Sequence, residues 1–172
     1  MENSHEVARI ENLYQYEILD TPPDGCYDDM TSLASKIFDV PIAIISLVDT
    51  DRIWFKSSFG IDAEEIPRNP GLCSSAIISD DVYIVENARI DPRTLANPLV
   101  VGVLVLQFYA AAPLRSSCGF NLGTFCIIDQ KPRVMSAKES LMLRQLSKIT
   151  MDHFEVKLKA RLMIRDLQKK SS

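Results

Sequence analysis

The stretch PIAIISLVDTDRIWFKSSFG, residues 41–60, decides the fold. Its first part, 42–48, is apolar at almost every position, which is typical of a strand that other elements cover on both faces. Residues 49–51, Asp-Thr-Asp, indicate a turn, because Asp side chains bond to nearby backbone groups. The second part, 52–59, mixes aromatic and polar residues and predicts a more exposed strand near the sheet edge. This pairing, preceded by helical sequence, favours an α/β sensory domain over a catalytic barrel.

Size and composition are those of one globular domain. The chain has 172 residues, enough for a substantial core. Its 19 Lys and Arg against 23 Asp and Glu give a net charge of −4, so we expect no nucleic-acid partner. No apolar run reaches the roughly 18 residues of a membrane span. Because the polar N-terminus also lacks a signal-peptide core, we expect a cytoplasmic protein without membrane contact.

Cysteine usage fits that compartment. The cysteines are widely and unevenly spaced, at Cys26, Cys73, Cys118 and Cys126. In a cytoplasmic protein such cysteines are reduced rather than paired in disulfides. We therefore expect free thiols.

Helical periodicity predicts two helices before the opening stretch and one long helix at the end of the chain. The first two are expected at 7–19 and 27–38, separated by a break that contains Pro and Gly. Ser136 and Glu139 form a capping-box pattern that begins a helix running to about residue 170. The other predicted elements are short: a helix at 73–78 and strands at 82–85, 104–114 and 121–129.

Six strings along the chain stand out: ILDTPPDGCYDDMTSLAS (18–35), PIAIISLVDTDRIWFKS (41–57), LCSSAI (72–77), DPRTLANPLVVG (91–102), FYAAAPL (108–114) and LGTFCIID (122–129). Together they resemble the bacterial GAF domain family, and the similarity extends over about residues 10–154. The resemblance is strongest to GAF modules of sensor histidine kinases and diguanylate cyclases. It implies an α+β fold, with an antiparallel sheet of five or six strands. Terminal helices would cover one face, and short helices and loops would roof a small-ligand pocket on the other.

The resemblance also implies a domain organisation. We expect a GAF domain over residues 1–154 and, over 155–172, an extension of the C-terminal helix for signalling and dimerisation. The apolar stripe of that helix continues past the domain, and we place a homodimer seam at Leu158 and Leu162. The alternative is a monomer with a frayed basic tail. We expect either a fragment of a longer sensor or a single domain that acts on an output domain, a histidine kinase or a cyclase.

The implied pocket lies between the sheet and residues 73–102. Three alanines at 110–112 leave room beside a strand, which supports a cavity there. The expected pocket residues, which would contact an unidentified small ligand, are Cys73, Ile77, Asp91, Arg93, Asn97, Tyr109 and Cys118. For the polar residues at 91–97, capping of short turns is the alternative role.

Departures from the family pattern argue against several cofactors. Gln107 stands where many relatives carry Arg, and Ala111 where many carry Gly, which counts against an anionic ligand held by that Arg. No Cys is followed by His, so we expect no covalent bilin. The two histidines, His5 and His153, lie at the N-terminus and on the last helix, so we expect no haem and no metal. The Asn-Lys, Phe and Asp-Glu pattern of cyclic-nucleotide-binding members is absent.

The sequence favours a non-catalytic sensory and regulatory domain of bacterial signal transduction, of the two-component kind. No Ser/His/Asp set, phosphate loop or carboxylate pair indicates catalytic residues. One alternative is a reductase of free methionine sulfoxide, in which Cys73 and Cys118 are a redox pair. Cys73 begins a short predicted helix, where a thiol pKa is lowered, although Cys73 and Cys126 also fit the role of small buried apolar residues. The other alternative is a purely structural dimerisation module.

Overall fold

The computed structural model describes residues 2–95, 97–101 and 105–171. The elements in chain order are α1 (Glu2–Gln15), α2 (Gly25–Phe38), β1 (Ile42–Val48), β2 (Arg52–Phe59), β3 (Glu65–Pro67), α3 (Leu72–Ala76), β4 (Tyr83–Val85), α4 (Pro98–Val101), β5 (Phe108–Arg115), β6 (Asn121–Asp129) and α5 (Ala137–Lys170). The strands form one antiparallel sheet in the order β3-β2-β1-β6-β5-β4. This confirms the predicted α+β fold.

Each face of the sheet carries its own apolar layer. On β1, Ala43, Ile45 and Leu47 pack in the cluster that contains α1, α2 and α5. The alternate residues Ile42 and Ile44 pack in a second cluster, under α3 and the loops around it. Because neighbouring strand residues point to opposite faces, a strand that is apolar throughout is buried by both layers. The terminal helices and the short roof elements therefore lie on opposite faces, as predicted.

β2 is not the exposed strand that the sequence predicted. It pairs with β1 on one side and β3 on the other, and residues 53–57 are all buried. Lys56 is buried because its ammonium donates to Thr21 Oγ1 at 2.9 Å and to the carbonyl of Pro22 at 2.8 Å. It also lies 5.4 Å from the centre of the Tyr27 ring. The edge on this side is the short β3, which the sequence analysis did not predict.

Backbone conformation and capping set the helix ends. α1 begins earlier than the predicted 7–19 and ends at Gln15, because Glu17 and Asp20 have positive φ angles of 50° and 60°. α2 begins at Gly25 rather than at residue 27, because the Asp24 carboxylate accepts a hydrogen bond from Cys26 N at 3.1 Å.

The remaining predictions agree with the structure to within a few residues. The capping box that begins α5 is present, with both the side-chain and the backbone hydrogen bonds. β6 spans the predicted 121–129, and β5 begins at Phe108, while the predicted start at 104 lies outside the described residues. No described helix combines the length and the apolar character needed to cross a membrane.

An ion cluster ties α1 to the loop after β3. The Glu6 carboxylate accepts hydrogen bonds from Arg9 at 2.7 and 2.8 Å and from Arg68 at 2.7 Å. The Arg9 hydrogen bond is the main reason that the pKa of Glu6 falls to about 2, against the opposing effect of partial burial. A carboxyl that is more acidic in the folded state stabilises the fold above its unfolded pKa, about 4.3, and loses that effect as the pH falls toward 2.

We therefore expect Glu6→Gln to lower the free energy of unfolding at pH 7 by about 1 kcal/mol, since solvent screens this partly exposed group. The difference from wild type should shrink below pH 4 and be small near pH 2, where about half of the folded-state Glu6 has taken up a proton. Urea unfolding across this pH range measures the effect. The exposed Glu11→Gln on the same helix is the control and should change the free energy by less than about 0.5 kcal/mol. A Glu6→Gln deficit that stays constant with pH would contradict the ion-pair explanation.

Candidate functional site

A small cavity lies under the roof, on the sheet face away from the terminal helices. Its volume is about 40 Å³. Since roughly 10–15 Å³ holds one water by this measure, the cavity has room for a few waters and not for a nucleotide or an amino acid. Among the described residues it is lined by Ile44, Phe55, Ile61, Ile66, Leu72, Cys73, Leu106, Tyr109, Cys126 and Ile128.

The register of the strands places the cavity residues Cys126 and Tyr109 on the same face of the sheet. Cys126 on β6 pairs with Ile44 of β1 on one side and with Ala111 of β5 on the other. Tyr109 lies two residues from Ala111, so it shares that face of the sheet. Gly123 lets β6 approach β1, because a Cβ there would stand 1.9 Å from a β1 carbonyl oxygen.

A thiol cluster, which we define as Cys73, Cys126, Tyr109, Ser46 and Thr124, adjoins the cavity, and its first three residues line it. The Tyr109 hydroxyl donates a hydrogen bond to Cys73 Sγ at 3.1 Å. Cys73 and Cys126 line the same small cavity and pack in the same apolar cluster. The hydroxyls of Ser46 and Thr124 lie 2.9 Å apart and, with Cys126, help to lower the pKa of Cys73. Cys73 of the roof helix α3 thus lies near Cys126 of the central strand β6, with hydroxyl groups beside both.

The surroundings shift the pKa values of the two thiols in opposite directions. The hydrogen bond from Cys126 lowers the pKa of Cys73 despite its complete burial, and the hydroxyl donors add to the effect. The same hydrogen bond, together with burial, raises the pKa of Cys126 well above its usual value. Burial likewise raises the pKa of Tyr109, which keeps its proton available for donation. The favoured state is a thiolate at Cys73 beside a protonated Cys126. The lowering does not need the helix N-terminus, since α3 is only five residues long.

The structure places Cys73 and Tyr109 at the cavity, and the other predicted pocket residues elsewhere. Ile77 packs in the same apolar cluster, outside the cavity wall. Cys118 is exposed in the turn between β5 and β6, next to Ser117, whose backbone N donates to Glu155 of α5 at 2.9 Å. The predicted pocket position of Cys118 is therefore wrong, and so is its pairing with Cys73.

The polar roof residues fasten the loop that carries them. Asp91 accepts hydrogen bonds from the backbone N and the guanidinium of Arg93, at 2.9 and 2.6 Å. Arg93 also donates to the Ile84 carbonyl at 2.8 Å, which holds the loop to β4. The Asn97 amide donates to the Pro70 carbonyl at 3.1 Å. These contacts fit the alternative structural role. None of the three side chains lines the small cavity, but Arg93 and Asn97 line a separate open groove of about 440 Å³ beside α3.

The histidines lie away from the cavity. His153 Nδ1 is 3.0 Å from the Tyr27 hydroxyl, and its Nε2 is 3.8 Å from Cys26 Sγ, on the face that the terminal helices cover. The His5 ring packs against Phe120, with ring centres 5.3 Å apart. Within the described ranges, no three His, Cys, Asp and Glu side chains are grouped so that they could hold a metal ion.

No family model matches the chain. Among curated proteins, the cyclic di-GMP phosphodiesterase PA2567 of Pseudomonas aeruginosa is 36% identical over 147 residues. This match covers 85% of the chain and 25% of the relative. The chain therefore spans about a quarter of the length of the curated relative that it matches.

Solved structures share the fold at low sequence identity. The GAF domain of an Acinetobacter phosphoenolpyruvate-protein phosphotransferase has a TM-score of 0.63 at 15% identity, over 96% of this chain and 99% of that one. The GAF domain of Thermosynechococcus elongatus PixJ has a TM-score of 0.65 at 11% identity, over 83% and 90%. The free methionine-R-sulfoxide reductase of Neisseria meningitidis has a TM-score of 0.64 at 19% identity, over 77% and 78%. These likenesses show the fold, and it is the fold that the sequence strings predicted.

The comparisons contradict the prediction that the chain has no enzymatic function. The curated relative is named a phosphodiesterase, and solved structures with this fold include free methionine-R-sulfoxide reductases. The prediction rested on missing catalytic motifs. The chain matches only 25% of that relative, so motifs that lie elsewhere in the relative need not occur in this chain.

Proposed function

We propose that this chain, which has the GAF fold, is a regulatory input domain of a signalling enzyme that hydrolyses a cyclic dinucleotide. The observation that carries the proposal is the 36% identity over 147 residues to part of a protein named cyclic di-GMP phosphodiesterase. The input domain passes its state to the catalytic output through α1 and α5. A small signal suits it better than a bulky ligand, because the cavity holds only a few waters.

The central strand β6 supports such a relay. Cys126 lies at the cavity, while its neighbours Phe125 and Ile127 pack in the cluster on the opposite face. That cluster also contains Phe154 of α5, which is fully buried. Close packing transmits displacement, since core side chains have few voids into which to relax. A change at Cys126 therefore shifts the surface on which α5 is seated.

α5 carries a second apolar face that the domain does not use. Its buried residues, which face the core, are Leu143, Ser147, Thr150, Met151 and Phe154. On the opposite side, four apolar residues are each more than half exposed: Ile149, Val156, Met163 and Leu167. We call them the outer stripe. Their steps of seven, seven and four residues are the spacing of a coiled-coil seam. We propose that two chains dimerise along the outer stripe.

This position corrects the predicted seam at Leu158 and Leu162. Leu158 is partly buried and packs against the core of its own domain, so it is not available to a partner. Arg161, which donates to the Tyr16 carbonyl, lies on the same side of the helix. Leu162 lies between the core face and the outer stripe by helical geometry. The sequence pattern identified an apolar helix, and the burial of Leu158 is the reason that we place the proposed seam on the outer stripe instead.

The proposed function is tested by a chimera in which this chain replaces the matching quarter of the Pseudomonas aeruginosa phosphodiesterase. We expect the chimera to hydrolyse cyclic di-GMP, and we expect Met163→Glu, which disrupts the outer stripe, to change the rate several-fold. Leu162→Glu, one residue away and off the stripe, is the matched control and should leave the rate unchanged. Equal rates for the chimera with and without this domain would overturn the proposal, and so would hydrolysis by the isolated chain.

The geometry does not favour the reductase alternative. A cavity of about 40 Å³ does not admit an amino-acid-sized sulfoxide. Cys118, which the sequence analysis paired with Cys73, is exposed in the turn between β5 and β6, where its neighbour Ser117 contacts α5. The fold shared with sulfoxide reductases is therefore not accompanied by a site of that size.

A further inference from the structure

We propose that Cys73 and Cys126 form a dithiol site that hydrogen peroxide oxidises to a disulfide within the chain. The inference stands apart from the proposed function, because it concerns chemistry of the isolated chain and needs no catalytic output. Three features of the structure carry it: two buried thiols that line one cavity, a phenol that donates to one of them, and room for a few waters beside both.

The two thiols are isolated from competing chemistry. Cys73 is 6% exposed and Cys126 is 1% exposed, and the other described residues that line the cavity are aliphatic or aromatic. The other two cysteines, Cys26 and Cys118, are exposed and belong to the opposite side of the sheet. Cys73 therefore has Cys126 as its neighbouring thiol, and the two come from the roof and the floor of the cavity.

The cavity selects the oxidant. At about 40 Å³ it accepts a neutral molecule with two heavy atoms. Hydrogen peroxide meets that limit, while organic hydroperoxides and disulfides such as oxidised glutathione exceed it. An apolar wall also disfavours charged oxidants, which would lose their hydration on entry. Hydrogen peroxide is therefore the oxidant that we assign to this site.

The oxidation of the two thiols by hydrogen peroxide proceeds in two steps. The Cys73 thiolate attacks one peroxide oxygen; the S–O bond forms, the O–O bond breaks, and the leaving hydroxide takes up the proton that Cys73 lost on ionisation. Cys126 sulfur then attacks the sulfur of the resulting sulfenic acid. The S–S bond forms, the S–O bond breaks, and the hydroxyl leaves as a second water with the Cys126 proton. Two sulfurs lose two electrons, and the peroxide oxygens gain them.

Tyr109 is the positioning residue of this site. Its hydroxyl donates to Cys73 Sγ at 3.1 Å, so it stabilises the thiolate and holds it in the wall. A disulfide would draw the two sulfurs to about 2.05 Å, closer than two unbonded thiols can approach. Oxidation would therefore pull α3 and β6 toward each other.

The test uses the full chain with Cys26→Ser and Cys118→Ser, which leaves Cys73 and Cys126 as its cysteines. Folded protein is treated with hydrogen peroxide at neutral pH, then unfolded, alkylated and weighed by mass spectrometry. We expect two alkylated thiols before treatment and none after it, with the mass of two hydrogens lost. Trypsin should release residues 69–89 joined to residues 116–133 by a disulfide. Two alkylatable thiols after treatment, or sulfinic acid at Cys73 without a disulfide, would overturn the proposal.

A second variant separates chemistry from folding. Tyr109→Phe keeps the ring and both thiols but removes the hydroxyl. We expect the pH midpoint of the oxidation rate to rise by about one unit, with the final disulfide yield unchanged. Tyr83→Phe, whose ring centre lies 6.1 Å from that of Tyr109, is the matched control and should leave the midpoint in place. An unchanged midpoint in Tyr109→Phe would overturn the role given to its hydroxyl.

Discussion

Replacing Phe154 with alanine is expected to lower the free energy of unfolding by about 3–5 kcal/mol. The side chain is fully buried in the cluster between the sheet and the terminal helices. Its ring centre lies 5.2 Å from that of Tyr27 on α2, so it also joins the two helices. Truncation removes the transfer free energy of the ring and leaves a cavity that neighbouring elements can close only in part.

Chemical unfolding followed by Trp54 fluorescence measures this effect, because the single tryptophan packs in the same cluster. Leu141→Ala is the control on α5, since Leu141 is exposed, and it should change the free energy by less than about 0.5 kcal/mol. Both variants must be compared at one protein concentration, since dimerisation adds to apparent stability. A loss below about 1 kcal/mol for Phe154→Ala would show that α5 is not seated on the sheet as described.

The parts of the fold that the sequence predicted correctly are those with strong local signals. The all-apolar 42–48, the apolar 121–129 and the capping box at Ser136 each need no distant partner to be recognised. The burial of β2, in contrast, depends on residues that are distant in the sequence, and the prediction made this strand too exposed. Lys56 is buried by acceptors at Thr21 and Pro22, which lie in another part of the chain. A polar residue in a strand does not reveal whether a distant segment will satisfy it.

The candidate site was predicted in part, and the errors have a common cause. Cys73 and Tyr109 were identified from the roof and from the strand beside it. Cys126 was taken for a buried apolar residue, although period-two alternation places it on one face with Thr124 and Ile128. Every residue of β6 is buried, so burial could not show which face holds the cavity. Only the pairing with β1 and β5 decides that point.

The proposed dimer seam illustrates the same limit on a helix: the sequence does not show which apolar face is buried by the domain. Apolar residues occur on two sides of α5, at helical spacing on each. From sequence alone either side could cover the domain. The tertiary contacts of Leu158 show which side is buried, and this is why the proposed seam uses the outer stripe.

Met163→Glu is expected to raise the dimer dissociation constant by at least about a hundredfold. Met163 is 67% exposed in one chain and lies in the middle of the outer stripe. Burial of such a side chain contributes roughly 1.5–3 kcal/mol, and a parallel pair loses it twice. The introduced carboxylates would also face each other across the seam, where like charges repel. Sedimentation velocity at micromolar concentration measures the change, and circular dichroism checks that α5 stays helical.

Leu162→Glu is the matched control for that experiment. It adds the same charge at the neighbouring position, where the side chain is 48% exposed but points away from the outer stripe. We expect this variant to remain dimeric, because its glutamate stays in water when two stripes pair. Dissociation by Leu162→Glu but not by Met163→Glu would return the seam to the side of Leu158. A wild-type chain that is monomeric at tens of micromolar would refute both positions, since a seam of four apolar residues per chain should hold at that concentration.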